Sequence, residues 1–91
     1  MSEQSAPVEH PIVVPRLHGN AEYYQIVAWL KEEGDRIKVG DALLVLETDK
    51  AAIEIQATVS GVLEKILVPA GQWAQVGAAV GVVTSPAPNA S

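Results

Sequence analysis

An internal repeat with an offset of 37 residues limits the folds open to this chain more than any other feature of its sequence. Gly34 and Gly71 are related by this offset, and so are Gly40 and Gly77. Apolar residues correspond in the same way: Leu30 with Leu67, Val39 with Val76, Leu43 with Val80, and Val45 with Val82. Each half follows the pattern strand, glycine turn, short strand, Val-Gly turn, strand. Two such units, each too small to bury its own apolar face, can close on each other around a pseudo-two-fold axis, with a hairpin turn at each end.

The residue pattern favours strands over helices. Residues 53–57 alternate apolar and polar side chains with a period of two, which is typical of a half-buried strand. Further strand candidates, separated by Gly, Asp, Ser and Pro turns, are residues 12–14, 25–31, 42–48, 62–68 and 79–83. A helix over residues 41–56 is the alternative, because Ala, Leu and Glu favour helices, but β-branched residues and the Thr48-Asp49-Lys50 interruption oppose it. The expected fold is all-β, a flattened barrel or sandwich of about eight short strands.

The two ends of the chain differ in composition from its middle. Residues 1–10 lack periodicity and are expected to form a flexible N-terminal arm, which leaves residues 11–84 as the folded domain. Residues 85–91 contain only small residues, Pro and Asn, which is typical of the start of an extended Ala/Pro linker. We therefore expect a fragment of a longer protein, with a frayed tail as the alternative.

Composition and charge exclude several classes of function. A chain of 91 residues holds one domain, and its net charge of −5 with six scattered Lys and Arg residues does not fit nucleic acid. No run approaches the roughly 18 apolar residues of a membrane span. The chain has no cysteine, and its acidic start does not resemble a signal peptide. We expect an acidic protein of the cytoplasm, or of the mitochondrial matrix if the source is eukaryotic.

No catalytic or metal-binding pattern is present. His10 and His18 have no suitably spaced ligand residues and are interpreted as surface histidines. Ser60-Gly61 lacks the context of a nucleophile elbow, and residues 34–40 lack the Gly-Lys-Ser/Thr of a phosphate loop. Trp29 and Trp73 are interpreted as covers for strand surfaces. Neither catalysis nor a metal site is expected in this chain.

The turn between the two halves places a lysine at its tip. Thr48 and Asp49 favour a turn because their side-chain oxygens bond nearby backbone N–H groups. Apolar strands on both sides bury the flanks, so the amine of Lys50 is expected to be solvated. An Asp-Lys pair in a turn is by itself an ordinary hairpin tip.

The surrounding residues are more specific. Glu47-Thr48-Asp49-Lys50-Ala51, preceded by Gly40-Asp41-Ala42-Leu43, resembles the lipoylation site of lipoyl (biotinyl/lipoyl-like) domains in 2-oxo-acid dehydrogenase dihydrolipoyl acyltransferases. The resemblance runs from about Ile12 to Val83 and includes Ile26, Trp29-Leu30-Lys31, Glu33-Gly34-Asp35, Ile37, Gly61-Val62-Leu63, Ile66, Gly71 and Val76-Gly77. It implies a barrel-sandwich hybrid of two four-stranded sheets and an amide between lipoic acid and Lys50.

The resemblance also implies a carrier function. Such a domain is a non-catalytic swinging arm of a 2-oxo-acid dehydrogenase complex. It shuttles acyl groups and reducing equivalents on lipoyl-Lys50 between a thiamine-dependent 2-oxo-acid decarboxylase, the acyltransferase core and dihydrolipoyl dehydrogenase. A lipoate ligase or lipoyl transferase attaches the group. The motif favours a module of a pyruvate-type dihydrolipoyl acyltransferase.

Residues around the lysine are expected to be read by these partners. Asp49 and Ala51 would present Lys50 to the lipoylating enzyme, and Thr48 is grouped with them as a recognition residue. Glu47 and Glu54 are either recognition charges or solvated strand positions. The loop that helps the decarboxylase select its carrier in the family corresponds here to His18, Gly19, Asn20, Glu22, Tyr23 and Tyr24. Relatives usually have Glu-Gly where this chain has Tyr23-Tyr24. Because Tyr does not share the freedom of Gly to adopt positive φ, the loop path is expected to differ.

Three other kinds of protein are alternatives to this interpretation. A biotin carrier usually has its lysine between two methionines, whereas here Asp49 and Ala51 flank Lys50 and the sole Met is Met1. The lipoylated carrier of glycine cleavage is longer and has extra elements that this chain lacks. An unmodified barrel-sandwich domain that only binds other proteins is the remaining alternative.

Overall fold

The computed structural model describes residues 7–17 and 19–86, and in this part of the chain all regular structure is β-strand. The strands are β1 (Val8–Val13), β2 (Tyr23–Trp29), β3 (Arg36–Ile37), β4 (Ala42–Glu47), β5 (Ala52–Gln56), β6 (Gly61–Ile66), β7 (Trp73–Gln75) and β8 (Ala79–Ser85). The predicted strands are confirmed, including the two short ones that the repeat requires. The helix considered for residues 41–56 is absent from this described region, because β4 and β5 pair with each other there.

The strands form two four-stranded antiparallel sheets with equivalent connections. One sheet has the order β1-β8-β6-β3, and the other has the order β5-β4-β2-β7. Each strand of one sheet corresponds to the strand four places along the chain in the other: β1 to β5, β2 to β6, β3 to β7 and β4 to β8. This is the predicted barrel-sandwich hybrid with pseudo-two-fold symmetry.

Backbone hydrogen bonds repeat with the same offset as the sequence. Gly34 N–H donates to Leu63 C=O at 2.7 Å, and Gly71 N–H donates to Ile26 C=O at 2.6 Å. Both glycines have positive φ, 97° and 92°, which a residue with a Cβ rarely adopts. The repeat therefore reflects turns that require glycine at equivalent places.

The core lies between the two sheets. Its least exposed large side chains are Tyr24, Ile26, Ile37, Leu43, Leu44, Leu46, Leu63, Val80 and Val83. Leu43 and Leu44 are adjacent and both buried, because the register of β4 against β5 shifts between Ala42 and Leu44 and breaks the alternation of faces. The absence of Phe is compensated by aliphatic residues from both sheets.

The ends of the domain differ in two ways from the sequence-based expectation. β1 begins at Val8, three residues before the expected boundary at residue 11, because Val8 pairs with Ser85 and Glu9 with Thr84. The sequence also predicted a hairpin at each end of the molecule. The pseudo-two-fold equivalent of the β4–β5 hairpin would connect β8 to β1, which are the last and first strands, so the end opposite Lys50 holds the start of β1 and the end of β8 instead of a hairpin. Residues 1–6 and 87–91, which include most of the predicted arm and linker, lie outside the described residues.

Candidate functional site

A four-residue turn, Thr48 to Ala51, joins β4 to β5 at the predicted site. The strand pair next to the turn is Glu47 with Ala52, and the next pair along the strands, farther from the turn, is Leu46 with Ile53. Leu46 has no exposed surface. The base of the hairpin is therefore held by the core, and only the turn extends beyond it.

The side chain of Thr48 fixes the conformation of this turn. Its hydroxyl accepts the backbone N–H groups of Lys50 at 3.1 Å and Ala51 at 3.0 Å, and it donates to the Ala51 carbonyl at 3.0 Å. The Thr48 N–H also donates to the Ala51 carbonyl, at 2.9 Å. The turn residue expected from sequence therefore stabilises the loop through both its main chain and its side chain.

The lysine and its neighbours face solvent. Lys50, Asp49, Ala51 and Glu47 are exposed, while Thr48 is partly buried. Glu54 lies on β5 and is exposed as well. The amine of Lys50 is thus accessible to a modifying enzyme, as predicted, and two carboxylates lie within three residues of it.

The loop between β1 and β2 lies beside this hairpin. A cleft of about 800 Å³ separates the two and is lined on the loop side by Gly19, Asn20 and Ala21 and on the hairpin side by Glu47, Thr48, Asp49 and Lys50. Glu22 is exposed on the same loop, and its carbonyl accepts the N–H of Val76 at 2.8 Å. His18, the remaining loop residue predicted to take part in recognition, lies outside the described residues.

The two tyrosines of the predicted recognition loop begin β2, and they differ in environment. Tyr24 is 2% exposed, and its hydroxyl accepts the N–H of Leu17 at 3.1 Å, so it belongs to the core and anchors the loop. Tyr23 is 55% exposed and lines the cleft. Neither residue has positive φ. A surface role in recognition is therefore open to Tyr23, whereas Tyr24 has a packing role that sequence reasoning did not foresee.

Two further residues of this region were missed or misinterpreted from sequence. The guanidinium of Arg16 donates to the carbonyls of Gly19 at 3.4 Å and Ala21 at 3.2 Å and so helps to hold the loop in place.

Trp29 covers the core as predicted, and its indole N–H donates to the Val68 carbonyl at 2.8 Å. The same interpretation of Trp73 is wrong, because Trp73 lies on edge strand β7 and is 63% exposed at the cleft. In the internal repeat Trp73 corresponds to the charged residue Arg36, and this correspondence could have indicated an exposed position.

Within residues 7–17 and 19–86, no group of three His, Asp or Glu side chains is placed to hold a metal ion. In the same part of the chain, no helix is long and apolar enough to cross a lipid bilayer.

Comparison with known proteins identifies the family. The family model Biotin_lipoyl, described as "Biotin-requiring enzyme", matches residues 10–83. The dihydrolipoyllysine-residue succinyltransferase component of the 2-oxoglutarate dehydrogenase complex of Bacillus subtilis (strain 168) is 40% identical over 80 residues, which are 88% of this chain and 19% of that protein. The dihydrolipoyllysine-residue acetyltransferase component of the pyruvate dehydrogenase complex of Rhizobium meliloti (strain 1021) is 39% identical over 75 residues, 81% of this chain and 17% of that protein. The chain thus spans less than one fifth of the length of these relatives.

Solved structures agree with this result. The lipoyl domain of the 2-oxoglutarate dehydrogenase complex from Azotobacter vinelandii superposes with a TM-score of 0.70 at 25% identity, covering 84% of this chain and 96% of that one. The urea carboxylase of Kluyveromyces lactis gives a TM-score of 0.71 at 23% identity over 91% of this chain and 7% of the carboxylase, a likeness of fold alone. The matching family implies a covalently attached lipoyl or biotin group. The chain belongs to the biotinyl/lipoyl family, and it is a lipoyl domain, a carrier module homologous to those of the acyltransferase components of 2-oxo-acid dehydrogenase complexes.

Proposed function

We propose that Lys50 carries a lipoyl group in amide linkage and that the domain is the swinging carrier of a pyruvate-type dihydrolipoyl acyltransferase. The observation that carries this proposal is the exposed Lys50 in a turn whose backbone Thr48 holds in place. A lysine on a defined turn offers a modifying enzyme one amine in one geometry.

The residues around Lys50 fit an attached group. Exposed Asp49 and Ala51 flank the lysine, and the open cleft lies on one side of it. No bulky side chain precedes or follows Lys50 in the turn, so both an enzyme and a long attached chain can approach the amine.

The position of Lys50 relative to the chain ends suits a mobile carrier. β4 and β5 lead away from the end where Val8 pairs with Ser85, and six strand residues span about 20 Å. A linker following β8 would leave from that opposite end, and the lysine would point away from the rest of the protein. Motion of the linker and of the arm would then add, and tethering gives effective concentrations commonly in the mM range.

A bound lipoyl group supplies a disulfide for redox and acyl-transfer chemistry at the end of a long flexible chain. The residues of this domain supply the attachment point and the recognition surface. Amide formation removes the charge of Lys50 and changes the formal net charge from −5 to −6, which leaves Glu47 and Asp49 as the charges beside the arm. These carboxylates and Asn20 and Glu22 of the loop are the groups offered to the proposed partners. The partners are a lipoate ligase or lipoyl transferase, a thiamine-dependent decarboxylase, the acyltransferase core and dihydrolipoyl dehydrogenase.

Intact-mass measurement tests the attachment. The domain is co-expressed with a lipoate ligase and, separately, with a biotin ligase. We expect one lipoyl increment in the wild type and in Lys65→Arg, an exposed lysine on β6, and none in Lys50→Arg. A biotin increment on Lys50 would assign the chain to biotin carriers, and no increment while a control lipoyl domain is modified would indicate an interaction domain.

Reductive acylation of the lipoylated domain tests the partner. Pyruvate-, 2-oxoglutarate- and branched-chain-type decarboxylases are compared by kcat/KM, and the pyruvate type is expected to be preferred. The double variant Asn20→Ala with Glu22→Gln is expected to lower this preference without changing lipoylation. Preference for another decarboxylase would overturn the pyruvate assignment while leaving the carrier function in place.

A further inference from the structure

Two aromatic side chains lie exposed beside the lysine hairpin. Tyr23 is 55% exposed and Trp73 is 63% exposed. Gln25 pairs directly with Trp73, which places Tyr23 diagonally across from Trp73 on the outer face of the sheet. Diagonal neighbours on paired strands lie within reach of aromatic side chains, and both rings line the same cleft.

The fold itself does not require aromatic residues at these positions. The pseudo-two-fold relation converts the β2–β7 pair Gln25 with Trp73 into the β6–β3 pair Val62 with Arg36. The equivalents of Tyr23 and Trp73 are therefore Ser60 and Arg36. The same strand geometry is thus formed with two polar residues at one end and two exposed aromatic residues at the lysine end.

The β1–β2 loop encloses this aromatic surface. Equivalent residues of the two halves differ by 43 positions before the loop (Val14 and Ala57) and by 37 after it (Ile26 and Leu63), so the first half holds six additional residues. Three residues of this longer loop, Gly19, Asn20 and Ala21, line the cleft and form its wall. We name the space between this wall, Tyr23, Trp73 and the hairpin the aromatic cleft. Its volume of about 800 Å³ lies in the usual range of small-molecule sites.

We propose that the aromatic cleft is a docking site for the prosthetic group that Lys50 itself carries. The inference rests on the proposed lipoylation of Lys50. Lys50 is one of the residues lining the cleft, so a chain attached to its amine starts at the rim. An aliphatic chain ending in two sulfur atoms has the chemistry that Tyr23 and Trp73 offer to bind, since sulfur makes favourable contacts with aromatic rings.

Tethering makes a weak contact sufficient. A group held at mM effective concentration occupies a site of mM affinity for about half of the time. Such a site keeps the arm against the domain between encounters and still releases it to a partner's active site. The two walls of the cleft thus give the arm a defined position for about half of the time and leave it free for transfer during the rest.

Nuclear magnetic resonance of the labelled domain tests the contact directly. Amide and indole N–H spectra are recorded for the unmodified, lipoylated and octanoylated forms, with modification verified by intact mass. We expect lipoylation to shift the indole N–H of Trp73 and the amide of Tyr23 as well as the turn, and octanoylation to shift them less. Changes confined to residues 48–52 in the fully lipoylated domain would overturn the docking site but not the carrier function, whereas failure of lipoylation would contradict both.

A solution readout complements the spectra. The rate at which a small phosphine reduces the attached disulfide is measured in wild type, Tyr23→Ala, Trp73→Ala and Val39→Ala. Val39 is the matched control, because it is 64% exposed and lies in the turn between β3 and β4, away from the hairpin. We expect reduction to be about twofold faster in the two aromatic variants, since roughly half of the arm is docked in the wild type, and unchanged in Val39→Ala. Equal rates in all four folded, lipoylated proteins would contradict the proposal. It would also be contradicted if a decarboxylase required Trp73 for binding while lipoylation left the Trp73 resonance unchanged, because the cleft would then serve the decarboxylase and not the arm.

Discussion

The hydroxyl of Thr48 accepts the backbone N–H of Lys50 at 3.1 Å, so the residue that begins the turn directly positions the residue that would be modified. Two more bonds from the same hydroxyl, to the N–H and the carbonyl of Ala51, close the turn on its other side. The side chain of Lys50 is exposed, and its backbone N–H is held by Thr48. A modifying enzyme therefore meets a hydrogen-bonded turn that presents an accessible amine.

Thr48→Val should impair lipoylation more than it impairs folding. The substitution keeps the shape of the side chain and removes the hydroxyl, and the hydrogen bonds lost at this partly exposed site are worth about 1 kcal/mol of folding free energy. We expect a lower kcat/KM for lipoate ligase, measured by intact mass over time, with a small drop in melting temperature. Thr48→Ser is the control and should retain modification. Wild-type kinetics in Thr48→Val would mean that the ligase does not require the turn geometry.

Tyr24→Phe should loosen the β1–β2 loop. The Tyr24 hydroxyl accepts the Leu17 N–H, and Tyr24 is 2% exposed, so its loss should reduce the free energy of unfolding by about 1 kcal/mol. Urea denaturation measures this change, and amide hydrogen exchange should become faster at Leu17. Tyr23→Phe is the matched control at an exposed position and should change neither quantity. Unaltered exchange at Leu17 would show that the loop is held by other contacts.

The pseudo-two-fold symmetry predicts matched energetic costs in the core. Ile26 and Leu63 are equivalent and have no exposed surface. Replacing either with Ala should reduce the free energy of unfolding by about 2–5 kcal/mol, and the two values should agree within about 1 kcal/mol. The equivalent pair Leu30 and Leu67, each 46% exposed, serves as control, and Ala there should cost much less. Very different costs for Ile26→Ala and Leu63→Ala would show that the halves share a backbone path without sharing packing.

The sequence predicted the fold because its turns leave few choices. Gly34 and Gly71 adopt positive φ at equivalent turns, and the matching apolar residues then assign the strands on either side. The lysine tip followed in the same way, since Thr48 and Asp49 favour a turn and the flanking strands are apolar. These features depend on residues close together in the sequence, so they can be predicted from apolar periodicity and from the turn-forming residues.

The features that were not predicted depend on contacts between distant residues. Whether Trp73 is covered depends on β7 being the edge of its sheet, which its own neighbours in sequence do not specify. The burial of Tyr24 depends on the loop that folds over it from residue 17. The start of β1 at Val8 likewise depends on pairing with Ser85, which is 77 residues away in the chain.

Gly61→Ala should destabilise the domain because another strand approaches this glycine too closely for a side chain. A Cβ at position 61 would meet the backbone carbonyl of Thr84 on β8, and backbone atoms within a paired sheet cannot move aside at low cost. Overpacking of this kind costs about 1–3 kcal/mol, to be measured by urea denaturation. Gly19→Ala is the control, since a Cβ there meets no atom within 4 Å and only the positive φ of 49° opposes it. Because β6 and β8 are remote from Lys50, the folded fraction of Gly61→Ala should still be lipoylated normally, and a larger loss of stability in Gly19→Ala than in Gly61→Ala would contradict the close approach of the two strands.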